Sequence, residues 1–164
     1  MREIVGDILT PANFGTSVVV CHQVNCMGVM GAGLAKQIKD KFPKVFRMYR
    51  AQCSAWRHNP GGNLGYAQFC SVENSAGYIV ANIFSQLSYG RNGRQTDYDA
   101  VRDGFRRVAT AFPDSTIRIP YEMGCGLGGG DWNIVLCIVQ DTLVSKGIDV
   151  EIWKLNQRED EYDG

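Results

Sequence analysis

Two glycine-rich segments each connect an apolar run to a helix-like stretch. Residues 26–35 (CMGVMGAGLA) follow the apolar run 18–24, and residues 124–130 (GCGLGGG) follow the run 117–121. A strand that ends in glycines and opens a helix presents unpaired backbone N–H groups and the positive end of the helix dipole. Such a turn binds phosphate, and glycine lets the backbone approach it closely. Two such turns, far apart in sequence, predict a clamp on a diphosphate.

Two ionisable side chains flank these segments and are candidates for acid–base chemistry. His22 lies a few residues before the first segment, and Asp131 directly follows the second. An imidazole that titrates near neutrality can protonate a leaving oxygen or orient a water, and a carboxylate can support it. Two structural interpretations stay open beside this one. His22 could be a hydrogen-bonded strand residue, and Asp131 could be the N-cap of the following helix.

Other kinds of site are not indicated. Zinc is disfavoured because Cys21, His22 and Cys26 lack a fourth ligand, and Cys21 should face away from His22 in a strand. The glycine order GxxGxG, without a terminal Gly-Lys-Ser/Thr, argues against a dinucleotide fingerprint and against a P-loop. The neighbours of Cys125 are small and apolar, so its thiol is expected to pack rather than react. We expect no metal and no cofactor.

Apolar patterns and turn residues outline the elements that must position these groups. Strands are predicted over 4–8, 17–24, 64–72, 78–84, 116–121 and 150–155. Helices are predicted over 32–41, 45–53, 98–112 and 132–146, the third capped by Asp97, with a turn at 73–77 and a polar loop at 88–96. The alternation of strands and helices predicts a single three-layer α/β/α domain with a mixed, mostly parallel sheet.

Size and composition are those of one globular domain. The chain of 164 residues is 45% hydrophobic, and we assign 1–155 to the domain and 156–164 to a polar tail. Its 17 basic and 17 acidic residues balance, so general nucleic-acid binding is not expected, and the basic stretch 36–50 is interpreted as a solvated helical face. There is no signal-peptide or membrane-helix pattern, and the cysteines are typical of reduced core residues. We expect a cytoplasmic monomer without membrane association.

Three motifs in this order make the chain resemble the macrodomains, the ADP-ribose-binding fold. They are Gly6-Asp7-Ile8 on the first strand, residues 30–35, and residues 124–132. The resemblance covers nearly the whole chain. More narrowly, the chain resembles the branch that includes terminal ADP-ribose glycohydrolases, DNA ADP-ribose antitoxin enzymes and yeast-type ADP-ribose 1″-phosphate phosphatases. The resemblance implies ADP-ribose, or an ADP-ribosylated macromolecule, as the ligand.

The resemblance also implies where the ligand would lie. The Asp7 carboxylate would accept a hydrogen bond from the adenine amino group, with the Ile8 backbone beside it. The alternative interpretation is that Asp7 is a turn or capping residue. Asn25 would contact ribose hydroxyls. The first segment would bind one phosphate and the distal ribose, and the second segment would bind the other phosphate. The implied ligand-binding residues are Asp7, Ile8, Asn25, Gly28, Met30, Gly31, Ala32, Gly33, Leu34, Ser85, Gln86, Gly124, Cys125, Gly126, Leu127, Gly128, Gly129, Gly130 and Trp132.

The chain departs from the glycohydrolases of this branch at two positions. Their lysine falls on Gln86 here, or on Ser85 if the register slips, and the aspartate of the human-type enzyme falls on Gly128. Neither amide nor hydroxyl can form a Schiff base with an opened ribose, so lysine-dependent covalent chemistry is not expected. His22 resembles a histidine of the phosphatases. We expect hydrolysis of ester-linked ADP-ribose or ADP-ribose 1″-phosphate by a water held between the ligand, His22 and Asn25, with Asp131 in support. The alternative is a non-catalytic ADP-ribose reader.

Overall fold

A six-stranded sheet forms the centre of the computed structural model, which describes residues 1–13, 15–72, 77–90 and 92–156. The strand order is β1-β6-β5-β2-β4-β3, and every neighbouring pair is parallel except β3 with β4. The strands are β1 (Arg2–Val5), β2 (Val18–Asn25), β3 (Ala67–Ser71), β4 (Tyr78–Gln86), β5 (Thr116–Pro120) and β6 (Asp149–Lys154). The predicted mixed, mostly parallel sheet is therefore confirmed.

Among the described residues, four helices cover the two faces of this sheet. They are α1 (Gly33–Lys41), α2 (Pro43–Ala55), α3 (Tyr98–Ala111) and α4 (Trp132–Thr142), with short 3₁₀ turns at Pro60–Asn63 and Val144–Lys146. Side chains alternate along β2, so Val18 and Val20 pack under α1 and α2 while Val19 and Cys21 pack under α3 and α4. The predicted three-layer α/β/α arrangement is confirmed.

Several predicted boundaries differ from the observed ones, such as the start of β3 at Ala67 rather than residue 64, and three of the differences have identifiable reasons. The first strand ends at Val5 rather than residue 8, because the Asp7 side chain accepts the Leu9 N–H at 2.9 Å and starts a turn. Pro43, expected only to stop α1, is also the first residue of α2, where its missing N–H costs nothing. The last helix ends at Thr142, and the predicted remainder is a separate 3₁₀ turn.

Some predictions fall on residues outside those that the structure describes. These are most of the turn at 73–77, Arg91 of the polar loop, and the tail apart from residue 156. Within the described residues, no helix combines the length and apolar character needed to cross a membrane. The same residues contain no group of three or more His, Cys, Asp and Glu side chains arranged to hold a metal ion.

The topology brings both glycine-rich segments to one edge of the sheet. β2 and β5 are adjacent and parallel, so their carboxyl ends lie together. The first glycine segment (26–35) leaves the end of β2 and enters α1, and the second (124–130) follows β5 and precedes α4. Ligands of open α/β sheets bind at this edge, in the crevice between loops that leave neighbouring strands.

Candidate functional site

A cavity of about 430 Å³ lies between the two glycine segments at the carboxyl ends of β2 and β4. We call it the central cavity. It is lined from β2 by Gln23, Val24 and Asn25, from the first segment and α1 by Val29, Gly31, Ala32 and Ala35, from the end of β4 and the following loop by Gln86, Tyr89 and Gly90, and from the second segment by Leu127.

The first glycine segment presents free backbone donors at the start of α1. The N-cap residue is Ala32, whose side chain cannot accept a hydrogen bond, and the first turn carries no acidic residue. None of the hydrogen bonds among the described residues uses the N–H groups of Ala32, Gly33 or Leu34. The positive end of this helix therefore offers donors to an anion in the central cavity.

The second glycine segment folds into a compact turn that also leaves donors free. The Gly130 N–H donates to the Gly124 carbonyl at 2.9 Å, and the Gly129 N–H donates to the Gly126 carbonyl at 3.1 Å. Gly124 and Gly129 adopt φ values of 76° and 70°, a conformation that favours glycine. In the described part of the chain, the N–H groups of residues 126–128 have no hydrogen-bond partner. These donors form a concave turn of the kind that binds anions.

A network of neutral side chains joins the end of β4 to the second segment. The Gln23 amide donates to Gln86 Oε1 at 2.5 Å and to Thr96 Oγ1 at 3.1 Å, and its own oxygen accepts the Ser85 hydroxyl at 2.8 Å. Thr96 in turn donates to the Gly124 carbonyl at 2.7 Å. Gln86 and Ser85, the two residues on which the glycohydrolase lysine was expected to fall, are thus both part of the network that shapes the cavity. Sequence reasoning missed Gln23 and Thr96.

Asn25 lines the cavity, but most of its amide is used to shape the first segment. Its Nδ2 donates to the Val29 carbonyl at 2.8 Å, and its Oδ1 accepts the Met27 N–H at 2.9 Å. The buried Tyr49 hydroxyl lies 2.8 Å from both Oδ1 and the backbone oxygen of Asn25, and it accepts the Gly28 N–H at 3.1 Å. One Nδ2–H of Asn25 remains for a ligand or a water.

His22 does not reach the central cavity, which corrects the expectation that it orients a water or protonates a leaving group. Its side chain is 2% exposed under α1 and α2, and its Nε2 lies 2.5 Å from Asn82 Oδ1. The Asn82 Nδ2 donates a hydrogen bond to Gln68 Oε1, and the Gln68 Nε2 donates to the Met48 carbonyl of α2. Burial lowers the pKa of His22 to about 4. His22 is therefore a neutral, hydrogen-bonded strand residue, which is the interpretation left open from its sequence position.

Asp131 is the N-cap of α4 rather than a neighbour of His22. Its Oδ1 accepts the Asn133 N–H at 2.8 Å, and its own N–H donates to the Tyr98 hydroxyl at 2.9 Å. Asp131 is exposed and lies outside the lining of the central cavity, so the catalytic expectation for its carboxylate does not fit its position. Trp132, the first residue of α4, stacks edge-on against Tyr121 at 5.4 Å and does not line the cavity either.

The loop that carries Asp7 and Ile8 is fixed by a buried arginine. Arg118 of β5 is 6% exposed and donates to the carbonyls of Ile8 at 3.0 Å and Thr10 at 2.6 Å. Its guanidinium lies 4.6 Å from the centroid of the Trp153 ring. Asp7 is exposed, and one of its two carboxylate oxygens accepts a hydrogen bond from the Leu9 N–H. Nothing in the local sequence pattern distinguishes Arg118 from an ordinary strand residue.

Some of the predicted ligand residues line the central cavity and others do not. Asn25, Gly31, Ala32, Gln86 and Leu127 line the central cavity, as do Val29 and Ala35 of the first segment and Tyr89 of the polar loop. Sequence reasoning missed three further lining residues: Gln23, Val24 and Gly90. Gly28 and Met30 instead line a second cavity on the other side of the first segment. The Cys125 thiol donates to the Met123 carbonyl, and burial raises its pKa to about 11, which keeps it a thiol rather than a nucleophile.

Comparisons with known proteins point to one class. No family model matches the chain. A macrodomain protein from Streptomyces coelicolor superimposes with a TM-score of 0.76 at 26% identity, over 93% of this chain and 97% of that one. Together with the sheet order and the paired glycine segments, this shows that the chain has the macrodomain fold. The resemblance inferred from the three sequence motifs is confirmed.

Two curated relatives connect the chain to enzymes of ADP-ribose metabolism. An ADP-ribose 1″-phosphate phosphatase from Meyerozyma guilliermondii is 30% identical over 106 residues, which are 59% of this chain and 59% of that protein. A DNA ADP-ribosyl transferase–DNA ADP-ribosyl glycohydrolase fusion protein from Thermosipho africanus is 25% identical over 146 residues, 79% of this chain and 36% of that protein. The chain thus spans less than two thirds of either relative.

Proposed function

We propose that the central cavity binds the diphosphate and distal ribose of ADP-ribose and that the protein hydrolyses ADP-ribose derivatives. The observation that carries this proposal is the pair of free N–H sets, at residues 32–34 and 126–128, on the two glycine segments that bound one cavity. Each set suits one phosphate group. The activities named for the Meyerozyma and Thermosipho relatives support the same ligand class.

The adenine is proposed to lie against the loop that follows β1. One oxygen of the exposed Asp7 carboxylate is held by Leu9, so the other is free to accept a hydrogen bond from the adenine amino group. The Arg118 contacts to Ile8 and Thr10 hold this loop in place before a ligand arrives. Such preorganisation lowers the entropy lost on binding.

The chemistry of the cavity lining selects the bond that can be cleaved. The described residues that line the cavity include no Lys, Arg, His, Asp or Glu side chain. Without a general acid, the leaving group must depart as a stable anion, as a carboxylate or a phosphate does. We therefore propose carboxyl esters of ADP-ribose or ADP-ribose 1″-phosphate as substrates. The attacking water would be held by the free Nδ2–H of Asn25 and a ligand phosphate, which would also take up its proton.

A second candidate function, a non-catalytic reader of ADP-ribose, is favoured by the same neutral lining. A reader needs the phosphate donors and the base contact but no proton transfer. The two candidates differ in turnover and not in affinity. The catalytic part of the proposal therefore needs its own measurement.

Product release from two substrates separates the candidates. The protein would be incubated with ADP-ribose 1″-phosphate and with a peptide that carries ADP-ribose on a glutamate ester, and free ADP-ribose would be followed by chromatography. We expect release from at least one substrate, lost in Asn25→Asp and retained in Gly61→Ala, a substitution outside the cavity with ordinary contacts only. Tight binding of ADP-ribose without any release would favour the reader instead.

We also propose that the protein acts as a monomer in the cytoplasm, without metal or cofactor. All six cysteines are free, and four of them are buried, which fits a reducing compartment. Large exposed apolar side chains of the described residues, such as Val5, Tyr89 and Ile134, lie on separate elements. Size-exclusion chromatography with light scattering tests the monomer, for which the sequence mass is 18.2 kDa.

A further inference from the structure

The balanced charge of the whole chain conceals a strong separation between its two helical layers. Residues 36–57 contain seven of the 17 Lys and Arg residues but only one of the 17 Asp and Glu residues, so this segment carries +6 and the rest of the chain −6. The segment forms α1, α2 and the turn that follows them, which together cover one face of the sheet. This segment contains the basic stretch 36–50, which was interpreted from the sequence as a solvated helical face.

The basic layer contains a cavity of about 460 Å³ of its own. We call it the basic cavity. Its lining includes Lys39 of α1, Arg50 of α2 and Arg57 of the following turn, and no acidic residue. In the described part of the chain, none of these three cations forms an ion pair with a carboxylate. Three unneutralised cations around a concave surface favour a phosphate-bearing ligand.

Phe46 lies among these cations in the lining of the basic cavity, and Trp56 precedes Arg57 in the chain. The ammonium of Lys39 is 4.4 Å from the centroid of the Phe46 ring, and the Arg50 guanidinium is 5.7 Å from it. Trp56, next to Arg57, is 42% exposed, and Met27, at the rim of the basic cavity, is also 42% exposed. An exposed aromatic ring next to a basic groove suits a single nucleic-acid strand, because a base can stack on the ring while the phosphates meet the cations.

We propose that the basic cavity and the adjoining Trp56 bind a single-stranded nucleic acid. Phosphodiesters would contact Lys39, Arg50 and Arg57, and a base would stack on the exposed indole. Val29 and Gly31 line both the basic cavity and the central cavity, so the first glycine segment is the shared wall between them. The proposal does not depend on ADP-ribose turnover, because the strand needs no modification in order to bind.

The test measures binding of an unmodified, fluorescently labelled oligothymidylate of about 20 nucleotides by anisotropy over a series of salt concentrations. The double variant Arg50→Glu/Arg57→Glu is compared with Arg106→Glu/Lys146→Glu, which makes the same change in net charge on the opposite layer. Arg106 is exposed on α3, and Lys146 is exposed in the turn that follows α4. Circular dichroism checks that each variant is folded.

We expect the Arg50/Arg57 variant to bind at least about tenfold more weakly with a reduced salt slope, and the control variant to bind within about twofold of wild type. Trp56→Ala should weaken binding at least about fivefold without changing the salt slope. Equal losses in both double variants, or no binding by wild type at low salt, would overturn the proposal. So would equally effective competition by poly-glutamate, since the surface would then recognise only negative charge.

Discussion

The substitution Gly128→Ala tests the shape of the second glycine segment. A Cβ atom at Gly128 would lie 2.6 Å from Thr96 Oγ1, 2.7 Å from the Gly124 carbonyl oxygen and 3.0 Å from Gln23 Nε2. These separations are well inside the roughly 3.5–4.0 Å at which non-bonded heavy atoms attract each other. A side chain can rotate away, but the Gly124 carbonyl belongs to the backbone of the segment, so the turn itself must shift.

The magnitude follows from the cost of overpacking and from the donors that move. Inserting a methyl group into a packed site costs about 1–3 kcal/mol. Displacing one backbone donor from a phosphate loses a charged hydrogen bond worth about 1.5–3 kcal/mol. We therefore expect the Kd for ADP-ribose to rise by about 10- to 100-fold, with a lower melting temperature in the absence of ligand.

A calorimetric titration of Gly128→Ala beside Gly61→Ala provides the measurement. A Cβ at Gly61 meets only Leu87 at 3.8 Å, so this control should bind ADP-ribose like wild type. If Gly128→Ala is folded and binds ADP-ribose as tightly as wild type, the geometry of the second segment does not determine affinity, and the phosphate assignment fails.

Three further predictions address the residues behind the site. Tyr49→Phe removes the buried hydroxyl that accepts the Gly28 N–H, and should cost about 1–3 kcal/mol of unfolding free energy in urea titrations and weaken ADP-ribose binding. An unchanged stability would contradict the role of that hydroxyl. Arg118→Met should weaken binding of ADP-ribose and of AMP but not of ribose 5-phosphate, because it releases only the loop at Ile8; equal effects on all three ligands would refute this. The pKa of His22 is lowered from 6.5 to about 4, so the unfolded chain takes up this proton first as the pH falls. The contribution of neutral His22 to the free energy of unfolding is fully present well above pH 6.5 and decreases as the pH falls toward 4. At pH 5 it is smaller by about 2 kcal/mol. His22→Gln should show a smaller loss of unfolding free energy between pH 7 and pH 5, and an equal loss would contradict the assignment.

The fold was largely predictable because its signals are local. The glycine segments, the β-branched run of β2 and the Asp97 cap each act within a few residues, and the Asp97 carboxylate does accept the Ala100 N–H. The predicted ends of strands and helices are wrong where a side chain hydrogen-bonds to the backbone in place of the regular structure, as the Asp7 carboxylate does after β1. The 3₁₀ turn after α4 likewise depends on Gly147 in a left-handed conformation.

The site was less predictable because its side chains are selected by distant partners. Strand alternation places His22 and Gln23 on opposite faces of the sheet, but which face meets the second glycine segment depends on how β5 pairs with β2. Gln23 reaches Thr96, a residue far along the chain, while His22 meets Asn82 in the core. A histidine beside a glycine-rich turn therefore looks functional in sequence although it is structural here.

The most direct test of the central claim is a calorimetric titration of the wild-type protein with ADP-ribose and, separately, with AMP. If both glycine segments hold the diphosphate and the first segment also holds the distal ribose, ADP-ribose should bind at low micromolar Kd or tighter, about −8 kcal/mol, and AMP much more weakly. Equal affinities would mean that the central cavity contributes nothing beyond the nucleotide. Undetectable binding of ADP-ribose would contradict the proposed function and leave only the fold.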